Sequence, residues 1–188
     1  MEQSRVRAKA PVSAVLAGPY GHPFHPMLVT VPIGAWLSSV IFDVASHLAR
    51  PASAFSTGAE WLIGIGVLGA LAAASVGFLD FVMIPAGTAV HRTAVTHMVL
   101  NLTVTVTFAA NFAWRLGLDQ TATGGGPLAV SVLSLVGLSL SGALGGKLAY
   151  HFGVRVADED TQVAGFASAS ASDPGDNTGL RPRTAKGH

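Results

Sequence analysis

Cysteine is absent from this 188-residue chain. That removes disulfides, thiolate metal ligands, thiol nucleophiles and covalent c-type haem attachment. Charge is scarce too: charged side chains make up 11% of the residues, against about 25% in an ordinary soluble domain. A disordered protein needs many charges and few apolar groups, so the chain as a whole is not of that class. With a net charge of +1 and no dense basic stripe, nucleic acid is excluded as a partner. Missing motifs narrow the chemistry further. There is no G-x-x-x-x-G-K-[ST] phosphate loop, no H-E-x-x-H zinc motif and no G-x-S-x-G nucleophile turn. A stand-alone enzyme is therefore not expected.

What is present is apolar length. Hydrophobic residues make up 50% of the chain. They gather into four segments, at about 27–48, 61–84, 90–115 and 127–150. Each has the roughly 20 residues needed to cross a ~30 Å hydrocarbon core as a helix, and none carries the polar face of a surface helix. The lipid bilayer is thus the first expected partner. Short connections between the segments favour an all-α, up-down-up-down four-helix transmembrane bundle. Residues 20–156 form this domain, residues 1–19 read as a mobile arm, and residues 157–188 read as a disordered tail rich in Ala, Ser, Asp and Gly.

Basic residues orient membrane helices, because short cytoplasmic loops retain Lys and Arg. With the amino terminus inside, the inner side holds Arg5, Arg7, Lys9, Arg92, Lys147, Arg155, Arg181, Arg183 and Lys186. The outer side holds only Arg50 and Arg115, which accounts for all 11. Both termini are expected to be cytoplasmic, in the inner membrane of a bacterium. Small residues recur at four-residue spacing as Gly69, Ala73 and Gly77, and again as Gly137, Ser141 and Gly145. Such stripes let helices approach closely, within the bundle or in a homodimer.

Ionisable groups at membrane depth are costly and mark candidate sites. Asp43 and His47, four residues apart, share a helix face and form a candidate structural pair at the outer end. The inner end collects His22, His25, Asp80, His91, Arg92, His97, Asn101, Lys147 and His151 from all four segments. His97 and Asn101 project together from the third helix. Asp80 is the expected partner of His97, where a carboxylate would fix the imidazole tautomer and free the other nitrogen. His22 and His25 each precede a proline, which holds them in a stiff lead-in to the first helix.

The opening Gly21-His22-Pro23-x-His25-Pro26, with Leu28-Val29 and Pro32-Ile33-Gly34, resembles that of a bacterial membrane family catalogued as domain of unknown function 2231. Gly77-x-x-Asp80, His97-x-x-x-Asn101, Gly145-Gly146-x-Leu148-x-Tyr150 and Gly153-Val154-x-Val156 are similar to its later landmarks. The resemblance runs from about Tyr20 to Val156. It implies a multi-pass membrane protein, and some relatives are joined to Rieske-type iron–sulfur domains. His22, His25, Asp43, Asp80, His97 and Asn101 match the family pattern, whereas Lys147 and Arg155 stand where other residues are expected.

These readings converge on a membrane protein with a polar site at the cytoplasmic face, associated with redox chemistry and with a redox partner protein. The expected cofactor is haem b or a transition metal. His25 and His97 are candidate ligands with Asp80 and Asn101 beside them, and His22, His25 and His97 are the candidate metal set. Two alternatives stand: a structural or accessory subunit whose polar residues only lock the bundle, and a small transporter or proton path.

Overall fold

The computed structural model describes residues 7–118 and 121–166. A single turn, α1, spans Ala14–Ala17, and the first long segment is split by Val29 into α2 (His25–Leu28) and α3 (Thr30–Leu48). Three long helices follow: α4 (Ala52–Phe81), α5 (Ala89–Arg115) and α6 (Gly125–Gly146). A π-helical turn, Lys147–His151, extends α6. Four of these stretches are long and apolar enough to cross a membrane, and no strand occurs among the described residues. The four-helix expectation agrees with this.

Local chemistry explains most of the boundaries. Pro26 sits in the first turn of α2, where its missing N–H costs nothing. Thr88 caps α5 by accepting from the His91 N–H at 3.1 Å. Helix α4 begins nine residues earlier than the sequence suggests, directly after Pro51. Ala and Ser dominate that stretch and are apolar or small enough to stay helical, and Ser56 returns its hydroxyl to Ala52 O at 3.1 Å.

Side-chain contacts set the topology. Trp36 of α3 donates to Ile63 O of α4 at 3.2 Å, and Val31 meets Gly69, so these helices run antiparallel. Val104 of α5 meets Gly137 of α6, and Asn111 donates to Ser131 Oγ at 2.9 Å, so the second hairpin is antiparallel too. Across the bundle α3 and α5 run parallel. Trp36 and Phe108 stack there with ring centroids 4.2 Å apart. With Ile63 and Val104 they form a buried apolar core.

The two hairpins repeat each other. Asp43 meets Arg115 across a sequence separation of 72 residues, and the same step links Trp36 to Phe108 and His25 to His97. Gly77 packs on the His25 ring as Gly145 packs on the His97 ring. The two small-residue stripes therefore receive side chains of the chain's own helices, whereas Gly142 and Gly146 face open space.

Parts of both terminal segments are described. Ala17 is fully buried within the bundle unit. Residues from Ala157 form a separate unit, and it holds a helix, α7 (Glu159–Phe166). Its first turn is held by Asp158, whose carboxylate accepts from the Thr161 N–H at 2.8 Å. Residues 1–6 and 167–188 lie outside the described part.

Candidate functional site

Polar groups occupy both ends of the bundle, separated by the Trp36–Phe108 layer. At one end Asp43 is fully buried. The Arg115 guanidinium grips it in a fork, Nη1 to Oδ1 at 2.6 Å and Nη2 to Oδ2 at 2.8 Å. Thr123 Oγ1 donates to the same carboxylate at 2.8 Å. Arg115 also donates to Asn111 Oδ1 at 3.3 Å and Ser131 Oγ at 3.2 Å. A planar guanidinium matches a carboxylate in this way where an imidazole cannot. The expected Asp43–His47 pair is therefore corrected: Asp43 is saturated by Arg115 and Thr123, and His47 is exposed. Every strong group here is matched, and the arrangement is a lock between α3, α5 and the α5–α6 connection.

The histidine end is different. His25 Nδ1 lies 2.8 Å from Ala73 O, and His97 Nδ1 lies 2.9 Å from Ser141 O. In each hairpin an imidazole of the first helix thus bonds a backbone carbonyl of the second. A carbonyl only accepts, so each Nδ1 carries the proton and each Nε2 keeps a lone pair. The two rings face each other edge-on, with centroids 6.4 Å apart and planes at 86°. Glycine makes room beside them: a Cβ on Gly77 would stand 2.8 Å from His25 Cε1, and one on Gly145 a less crowded 3.1 Å from His97 Cε1. Asn101 Nδ2 lies 3.1 Å from His97 Nε2 and 3.0 Å from His97 O.

Asp80 does not partner His97. It forms an ion pair with Arg155, Oδ1 to Nε at 2.8 Å, a close charge contact not aligned as a hydrogen bond. The reason is local: an arginine carried back by the chain past α6 brings a full charge to the carboxylate. Arg155 is buried, at 4% exposure, and has φ of +59°. That left-handed conformation costs a residue with a side chain about 1–2 kcal/mol. Its contacts offset the cost. Nη2 donates to Ala17 O at 2.9 Å and Gly18 O at 2.8 Å, and Nη1 donates to Lys9 O at 3.3 Å. Its own N–H donates to Ala8 O at 3.2 Å.

Of the six sequence-selected positions, the structure brings together His25, His97 and Asn101. Asp80 lies one turn beyond Gly77 but is held by Arg155, Asp43 lies at the far end, and His22 is exposed. No group of three or more His, Asp or Glu side chains suited to a metal ion occurs among the described residues. Sequence reasoning missed Arg115 and Arg155, counting both as surface charge. The 72-residue step from Asp43 was the available signal for the first.

A family model described as predicted membrane protein (DUF2231) matches residues 21–158. No curated protein and no solved structure matches the chain. The match covers most of the chain, which therefore belongs to this family.

Proposed function

We propose that this DUF2231 membrane protein is a redox-associated component of a bacterial cytoplasmic membrane, with His25 and His97 serving as the two protein ligands of one haem iron or soft metal ion. One observation carries the reading: two imidazoles meet at the bundle axis, and a backbone carbonyl takes the proton-bearing nitrogen of each. That is how proteins commonly prepare a histidine to ligate through its other nitrogen. The ring centroids lie 6.4 Å apart, so both imidazoles belong to one site.

The ligand count favours haem. Zinc sites take three or four protein ligands, and only two imidazoles converge here. A haem supplies most of the iron's coordination itself, so His25 and His97 would be enough to hold it. Asn101 would swing from His97 Nε2 when that nitrogen is taken, and Asp80 is committed to Arg155. When bound, a bis-histidine haem supplies one-electron transfer. The chain's own part is to hold both rings and, through Trp36, Phe108, Ile63 and Val104, to close the bundle below them.

That apolar layer disfavours a transport path, because it separates the two polar ends. The lock reading fits Asp43–Arg115, where every strong donor finds an acceptor, better than it fits the histidine pair. Lys9, Arg92, Lys147 and Arg155 all belong to the histidine end, whereas the opposite end holds Arg50 and Arg115, the latter neutralised by Asp43. This distribution supports a cytoplasmic histidine end and cytoplasmic termini.

The test is to purify the protein in mild detergent with haem supplied during expression, then record oxidised and reduced visible spectra and assay bound metals. One low-spin haem or one metal ion per chain is expected. A colourless, metal-free, folded preparation after gentle extraction contradicts the reading. A carboxy-terminal reporter active only in the periplasm should stay silent, and activity would reverse the orientation.

A further inference from the structure

The segment before the first span is fastened to the bundle through its backbone. Arg155 Nη2 donates to Ala17 O and Gly18 O, and Nη1 donates to Lys9 O. The Arg155 N–H donates to Ala8 O, and α1 packs against α4. Ser13 Oγ accepts from the Leu16 N–H at 3.4 Å and starts the single turn of α1. Ala17 is the buried residue of that turn. Its larger neighbours point away from the bundle: Val15 is 84% exposed and Leu16 61%, and Val12 before the turn is exposed too.

Depth decides what meets these side chains. Helix α4 has 30 residues, and at 1.5 Å each it is about 45 Å long. That equals a bilayer with both headgroup layers, ~40–45 Å, so the last turn of α4 stands at headgroup level. Asp80 belongs to that turn, and its ion pair with Arg155 holds residues 8–18 at the same level. The composition of the segment suits this layer. Tyr20 is exposed, and its ring has the amphipathic character favoured at a membrane interface. No acidic residue occurs between Glu2 and Asp43. Arg7 is exposed, as are Arg92 and Lys147 at the same end. Among the described residues of the bundle unit, the acidic group at this end is Asp80, which Arg155 neutralises.

We propose that residues 7–20 are an interfacial anchor, which inserts Val12, Val15 and Leu16 between headgroups and binds anionic phospholipid through Arg7. Lipid fits this face better than a protein partner does. A stable protein interface buries about 800 Å² on each side, and three aliphatic side chains supply a fraction of that. The face also continues into the exposed apolar sides of the spans, Met27 and Phe78 at this end. The anchor does not depend on any ligand of His25 and His97.

Because the chain has no cysteine, a label can be placed at one chosen position. Val15→Cys carrying a nitrobenzoxadiazole group is studied in the full chain, in nanodiscs of phosphatidylcholine and phosphatidylglycerol. Its emission should be blue-shifted, and a nitroxide at a shallow acyl position should quench it at least about two-fold more than a deep one. At matched mole fraction, a shallow nitroxide carried on phosphatidylglycerol should associate about five-fold more strongly than one on phosphatidylcholine, the factor expected for one basic residue near an anionic surface. Arg7→Gln should remove most of that preference. Val15 and Arg7 are exposed, so neither change touches the core, and Leu16→Cys repeats the measurement one residue on. Water-like emission from both labels in lipid overturns the anchor and leaves the face to a protein partner. Equal association of the two lipids overturns anionic recognition, and so does a preference that Arg7→Gln leaves intact.

Discussion

Removing the Asp43 carboxylate strands a guanidinium. In Asp43→Leu the Arg115 side chain loses both bonds of its fork, 2.6 and 2.8 Å, while its bonds to the neutral Asn111 and Ser131 remain. Arg115 is 3% exposed, so water cannot take the carboxylate's place. Breaking a buried pair in this way costs about 3–5 kcal/mol, and Arg115→Met should cost a similar amount by stranding the carboxylate. The double variant is the informative one. With both charges gone, Asn111 Oδ1, Ser131 Oγ and the Thr123 hydroxyl each lose a bond; Ser131 Oγ still accepts from Asn111 Nδ2, and the other two losses are worth about 1 kcal/mol each. The pair of substitutions should therefore cost only about 2 kcal/mol, less than either alone. Each can be read by equilibrium unfolding in mixed micelles, followed by near-ultraviolet circular dichroism. His47→Ala supplies the control and should change stability by less than about 0.5 kcal/mol, because the residue is exposed. A single-variant loss under 1 kcal/mol, or a double variant as unstable as the two singles added, would refute the argument.

Two glycine substitutions probe the close contacts. Gly66→Ala sets a Cβ hard against Trp36 Nε1, which must break the bond to Ile63 O and shift the stack on Phe108. A loss of about 1–3 kcal/mol is expected in the same unfolding assay, and an unchanged midpoint would mean that the α3–α4 contact is looser than described. Gly77→Ala and Gly145→Ala act on the two ligand rings unequally, with Cβ distances of 2.8 and 3.1 Å. Haemin affinity should fall about ten-fold or more for Gly77→Ala, as overpacking by 1.4 kcal/mol implies, and less for Gly145→Ala. The opposite order would contradict the placement of the rings.

Spans and their number were legible because lipid imposes a composition that few other environments do, and the structure agrees with them. Partner choice was not legible. Asp43 and His47 sit four residues apart, and local spacing suggested a pair. The true partner, Arg115, lies two helices away, where only the folded bundle brings it. Asp80 shows the same limit: proximity in the histidine layer pointed to His97, while a longer arm from beyond α6 delivered Arg155. The repeat was hidden by substitution, since Trp36 corresponds to Phe108 and Asp43 to Arg115. Identity is lost while size, or complementary charge, persists. The glycine stripes were readable as a spacing, but their purpose was not. They make room for His25, Val31, His97 and Val104 of the chain's own hairpins.

Whether His25 and His97 share one centre is the question on which the functional reading turns. It is tested by titrating haemin into the detergent-purified chain, and into His25→Ala and His97→Ala. The wild-type chain should saturate at one haem per chain with a low-spin, six-coordinate spectrum. Either alanine variant alone should convert that spectrum to a five-coordinate one and weaken binding. Identical titrations for all three proteins, or no saturable binding by a folded wild-type chain, would contradict a shared bis-histidine haem centre.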